Sequence, residues 1–107
     1  GIFDLIHAFQ KILKRLEKKP ENLREIFEEN FTVSEKIDYL LKVTSSGVSM
    51  KFEELFADVA SRAEIVVTFL AMLELIRMKQ LCVRQDSHFG EIWIDRSGNT
   101  APLFSRV

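Results

Sequence analysis

Cysteine is nearly absent from this sequence: Cys82 is the only one among 107 residues. A single thiol closes no internal disulfide and offers no thiolate set for zinc. That usage fits a reducing cytoplasm, with Cys82 read as a small apolar residue opening a strand. Net charge is almost absent too. Fifteen Lys and Arg face sixteen Asp and Glu, for a balance of −1, so no overall basic excess drives binding to nucleic acid or to anionic membrane. No apolar run approaches the roughly 20 residues that cross a bilayer. No basic-then-apolar leader precedes a small-residue cleavage site. Internal repeats and low-complexity tracts are missing, as are a glycine-rich phosphate loop and a G-x-S-x-G elbow.

The two histidines, His7 and His88, lie in distant segments. His7 has Asp4 three residues before it, which is one pair and not the three or four converging ligands of a metal cage. The carboxylates are spread at helical i,i+3 and i,i+4 spacing, as on solvated faces. The expectation is therefore no catalytic, metal or cofactor-binding residue, and no enzyme.

What is present is ordinary for a folded domain: 47% apolar and 29% charged residues. A chain of this length buries roughly two-thirds of its unfolded surface. Gly1 ahead of "IFDLI" reads as a boundary, so a fragment of a longer chain is expected.

Residues 3–19 carry Phe3, Leu5, Ile6, Phe9, Ile12, Leu13 and Leu16 at spacings of three and four, which predicts a helix. Lys14, Arg15, Lys18 and Lys19 crowd its end, complementing the helix dipole, and Pro20 stops it. Residues 21–33 read as a linker with local structure. Thr32 and Glu35 have capping-box spacing, and Ile37, Leu40 and Leu41, with Val33, form the face of a second helix. Gly47 suits a positive φ after it. "VSM", residues 48–50, suggests a short strand, and "KFEELFADV" sets Phe52, Leu55, Phe56 and Val59 at helical spacing. A long helix opens at Ser61, again three residues before a Glu, and runs to about residue 80. "LCVRQ" (81–85) and "FGEIWI" (89–94) then alternate with period two and predict a hairpin. Residues 96–107 read as a flexible tail.

This order predicts an α+β fold: a winged-helix domain of three helices plus a β-hairpin wing over 32–95, preceded by an α-helical segment over 1–31. Such a fold raises the prospect of a DNA-binding transcriptional regulator. The long helix argues against it, because Glu64 to Ile76 contains no Arg, Lys, Asn or Gln to reach base edges. Instead the helix is apolar on too many sides. A wheel places Ile65, Val66, Phe69, Leu70, Leu73 and Ile76 on one broad stripe, with Val67, Ala71, Leu75 and Met78 largely on the other side, and a small domain can bury one side in its own core. The surplus is expected to be a protein-binding patch.

The segments "FTVSEKIDYLL", "FEELF" and "SRAEIVVTFLAMLELIRMKQLCVRQDSHFGEIWI" resemble the C-terminal winged helix of bacterial kleisins, the ScpA family. The resemblance rests on Ser61-Arg62-x-Glu64, on Thr68-Phe69-Leu70-Ala71 with Leu73-Glu74-Leu75, and on Gln85 with Phe89-Gly90-Glu91-Ile92. Residues 3–20 are similar to the helical segment of the family's middle region. The resemblance implies a non-enzymatic subunit of the SMC–ScpA–ScpB condensin complex, acting in chromosome condensation and segregation. It implies docking on the SMC ATPase head through Phe69 and Leu73, with Val66, Gln85 and Phe89 on the same surface or shaping the wing. It further implies an ScpB dimer as a partner for the first helix, through Phe3, Ile6, Phe9 and Leu13. DNA is then met only through the complex, at the nucleoid in the cytoplasm, with no membrane contact. The wheel leaves open whether Phe69 and Leu73 are interface or core. It leaves open whether the first helix packs on the winged helix, binds ScpB, or pairs with a second copy. Trp93 reads as core or as an anchor, and the outer wing strand either closes the domain or pairs with a partner's sheet edge.

Overall fold

The structure, a computed structural model, describes residues 2–17, 31–59, 61–87 and 90–97. The linker reading for 21–30, the tail from residue 98, and His88 and Phe89 lie outside the described residues.

Helix α1, Ile2–Glu17, forms where the three-and-four spacing predicts it. Helix α2, Val33–Val43, opens with the expected capping box: Thr32 Oγ1 accepts the Glu35 N–H at 3.1 Å, and the Glu35 carboxylate accepts the Thr32 N–H at 3.1 Å. Leu40 is buried, with Ile37 and Leu41 packed on the core. Val33, placed on that face by its spacing, is exposed instead, because it sits at the open first turn. Past the helix end, Gly47 takes the positive φ (80°) expected of it.

Strand β1 is only Met50–Lys51, displaced toward the C-terminus from the expected 48–50. "FEELF" follows as a 3-10 turn, Phe52–Phe56, burying Phe52, Leu55 and Phe56. The tighter winding suits this short connector. Helix α3, Arg62–Arg77, is capped by Ser61, whose Oγ accepts the Glu64 N–H at 3.2 Å. The Glu64 carboxylate reaches Lys36 on α2 at 2.6 Å, an ion pair that ties the two helices together in a mostly buried setting.

Strands β2, Leu81–Gln85, and β3, Ile92–Arg96, form the hairpin. β3 starts later and ends later than the expected 89–94, because Gln85 pairs with Ile92 and leaves residues 86–91 to the connection. The sheet is antiparallel in the order β1-β3-β2, so β3 is central and β2 is an edge. Ile92 and Ile94 are buried, while Trp93 and Asp95 alternate to the outer face. A single core gathers Leu40, Phe52, Leu55, Phe56, Ile65, Phe69, Met72, Leu75, Leu81 and Ile94, and Leu5 and Ile12 of α1 belong to it.

Candidate docking site on the third helix

Helix α3 decides what this domain can present to a partner. Its buried residues are Ile65, Thr68, Phe69, Ala71, Met72 and Leu75. Thr68 is accommodated because its hydroxyl donates to the Glu64 carbonyl at 2.7 Å. The inward arc cuts across both sides of the wheel. Ile65 and Phe69 of one side and Ala71 and Leu75 of the other are buried, whereas Val66, expected at the docking surface, and Leu70 are 38% and 47% exposed. Packing explains the arc. α2, α1 and strand β2 all contact α3, and Phe52 of the 3-10 turn meets Phe69, so the residues facing these elements turn inward. One sequence signal points to the outer side: Arg62, Val66, Leu70 and Arg77 share one meridian of the wheel, and both arginines are exposed. Leu70 is the surface residue that sequence reasoning did not single out.

The expected site residues separate into groups. Val66 is exposed. Leu73 is half-buried and packed against the core. Phe69 is only 8% exposed, because Phe9 of α1 stacks on its ring at a centroid distance of 4.0 Å and an interplanar angle of 13°. Phe52 meets the same ring edge-on at 6.2 Å, and Phe56 joins the aromatic cluster through Phe52 and Phe9. Gln85 is half-buried, and its side-chain amide donates to the Gly90 carbonyl at 3.1 Å, so it holds the wing's turn. A Cβ at Gly90 would stand 2.4 Å from Ser87 Oγ and 3.0 Å from its carbonyl, so a larger residue there needs the Ser87 hydroxyl to rotate away. Of the first-helix residues, Phe3 and Ile6 are exposed, whereas Phe9 and Leu13 pack inward. Of the three fates open to α1, packing on the winged helix is the arrangement in this chain.

The outer face of the sheet is polar and internally paired. Arg84 bonds Asp86 at 2.9 Å and Asp95 at 3.2 Å, and these bonds hold its guanidinium above its usual pKa. Ser49 donates to Asp95. Arg84 and Lys51 lie over the Trp93 ring, 5.5 and 5.9 Å from its centroid. Trp93 is thus half-buried under two cations on the outer face, and is neither core nor bare anchor. At the end of α3, Arg77 is bonded to Glu74 at 2.7 Å. These cations are committed to partners within the chain. Among the described residues no group of three or more His, Cys, Asp or Glu is arranged to hold a metal ion. Among the same residues no helix is long and apolar enough to cross a membrane.

An apolar pair on the open side of α3, flanked by a hairpin with internally satisfied charges, suits contact with another protein. The family model described as "Segregation and condensation protein ScpA" matches residues 1–97. "Segregation and condensation protein A" of Brevibacillus brevis is 33% identical over 97 residues, covering 91% of this chain and 38% of that protein. The protein of the same name from Caldanaerobacter subterraneus subsp. tengcongensis is 36% identical over 94 residues, covering 88% of this chain and 38% of its own length. The chain thus spans well under half the length of these curated relatives. Among solved structures, a chain from "Crystal structure of the SmcHead bound to the C-winged helix domain of ScpA" is similar at 30% identity and a TM-score of 0.48, covering 60% of this chain and 97% of that one. By the extent of the family match, this chain belongs to the ScpA family of segregation and condensation proteins.

Proposed function

We propose that this chain is the SMC-docking part of a kleisin: its winged helix binds an SMC ATPase head and so recruits the head to a chromosome-condensing complex. The observation that carries the reading is the apolar outer side of α3, where Val66 and Leu70 stand exposed beside half-buried Leu73. Exposed apolar groups clustered on one helix face mark protein contact. Family membership supplies the partner. In this reading the first contact is made by Val66 and Leu70, with Phe69 and Leu73 completing the surface and Gln85 and Phe89 shaping the wing beside it. The edge of β2 stands open to strand addition.

The rest of the assignment follows the family. The chain is non-enzymatic, with the ATP chemistry belonging to SMC. Residues 32–95 form the docking domain, residues 1–31 belong to the middle region, and an ScpB dimer is the second partner, met by the outward Phe3 and Ile6. DNA is held through the whole complex, at the nucleoid in the cytoplasm.

Calorimetric titration against a purified SMC ATPase head, with circular dichroism on every variant, tests the reading. Val66→Arg and Leu70→Arg place charge on solvent-exposed positions, so both are expected to fold normally and to lose at least tenfold in head affinity. Normal head binding by both folded variants would move the docking surface elsewhere. No binding by the wild type or by any variant, with salt-sensitive duplex DNA binding instead, would sink the reading and favour a DNA-binding regulator.

A further inference from the structure

We infer that α1 is an intramolecular cover on the docking face, which the SMC head must displace to reach Phe69 and Leu73. The inference rests on the docking reading above and adds its regulation.

Three observations carry it. First, the ring expected at the head contact is occupied: Phe9 lies flat on Phe69 at stacking distance, and Leu5, on the same helix, borders Leu73 and Ile76. A head cannot bury a ring that another ring already buries. Second, α1 is bordered by solvent-open grooves: about 210 Å³ toward the 3-10 turn and wing, about 390 Å³ between Leu5 and the Leu73–Ile76 region with Asp4 and Gln85 at its rim, and about 410 Å³ between Arg15 and the Phe56–Ile65 region. Its inner residues pack on the core, but its margins are not sealed against the domain. Third, the first turns of α1 leave apolar groups in solvent: Ile2, Phe3 and Ile6 remain exposed, Phe3 by 83%, while the rest of its outer face is polar (His7, Gln10, Lys11, Lys14 and Arg15). Among its described side chains Leu5 and Ile12 are the buried ones, a small anchorage for an element that must come away.

The arrangement makes the covered and open forms a two-state equilibrium. Head affinity is then reduced by the fraction of molecules in which α1 is away. Loosening α1 raises that fraction without touching the docking surface.

The test uses the whole chain and hydrogen exchange read by mass spectrometry. Amides of residues 2–17 are followed with and without saturating SMC head. The expected result is at least tenfold faster exchange of α1 in the complex, while α2 and β3 keep their protection. Phe9→Ala and, separately, Ile12→Ala are expected to tighten head binding about tenfold, with the circular dichroism of the winged helix retained. Two variants are used so that one misfolding does not decide the matter. Head binding with α1 protection unchanged or increased would overturn the cover, and so would folded variants that bind no more tightly than wild type. If neither wild type nor either loosened variant binds the head, the docking reading itself fails, and the cover falls with it. Binding by the loosened variants alone would support both.

Discussion

At the scale of single residues, Phe69 and Leu70 show how one position changes the meaning of the same chemistry. Both are large and apolar, adjacent in sequence, and both stood in the expected stripe. Phe69 lies within an aromatic cluster and Leu70 does not. Phe69→Arg therefore buries an unpaired guanidinium, which costs several kcal/mol or forces the site open. We expect it to lower the denaturation midpoint sharply in urea unfolding followed by circular dichroism, by about 3 kcal/mol or more. A midpoint unchanged from wild type would mean that the ring is not held in the core. Leu70→Arg is expected within about 0.5 kcal/mol of wild type. Glu74 illustrates a smaller effect. Its bond to Arg77 holds the carboxyl below the usual carboxylate range. A depressed folded value means that the pair's contribution is present above the unfolded pKa and is lost as pH falls through the folded one. Arg77 is exposed and Glu74 partly so, so the consequence is read in the titration: in NMR, Arg77→Ala is expected to move the Glu74 carboxyl midpoint upward.

At the scale of elements, helix ends were the most legible feature. The Thr32–Glu35 box depends on short-range geometry and formed as expected; of the second box expected at Ser61 and Glu64, the Ser61 half formed, while the Glu64 carboxylate is drawn to Lys36 of α2. The end of α3 was not legible. Lys79 adopts φ 62°, with the Gln80 N–H bonded to the Leu75 carbonyl at 2.8 Å and the Lys79 N–H to that of Ile76 at 3.0 Å. This is a Schellman ending with lysine where glycine is preferred. A side chain there costs about 1–2 kcal/mol, partly offset by the greater freedom glycine would bring to the unfolded chain. Lys79→Gly is expected to stabilise the domain by roughly 0.5–1 kcal/mol, seen as a higher midpoint in chemical denaturation. A lower midpoint would show that the lysine makes a contact that matters more than its backbone. β3 was displaced from its expected bounds for a related reason. Alternation cannot separate a strand from the turn leading into it when Phe, Gly and Glu precede the first paired residue.

At the scale of the molecule, stability is expected to be uneven. Among the described side chains α3 buries six and α1 two. Native-state hydrogen exchange without any partner should rank α3 and β3 as the slowest and α1 as clearly faster, as for an element that opens locally. Uniform protection across α1 and α3 would make the two a single cooperative unit.

Periodicity and capping chemistry are local, and they were sufficient for five elements, the hairpin and the α+β class. Which side of α3 turns inward was not written there. A helix with apolar residues on every side has no preferred inward face until its neighbours are placed. Those neighbours, α1, α2, the Phe52 ring and β2, come from distant parts of the chain. Only their packing made Ala71 and Leu75 core, left Val66 and Leu70 in solvent, and laid Phe9 over Phe69, because burial is settled by what else competes for the same surface.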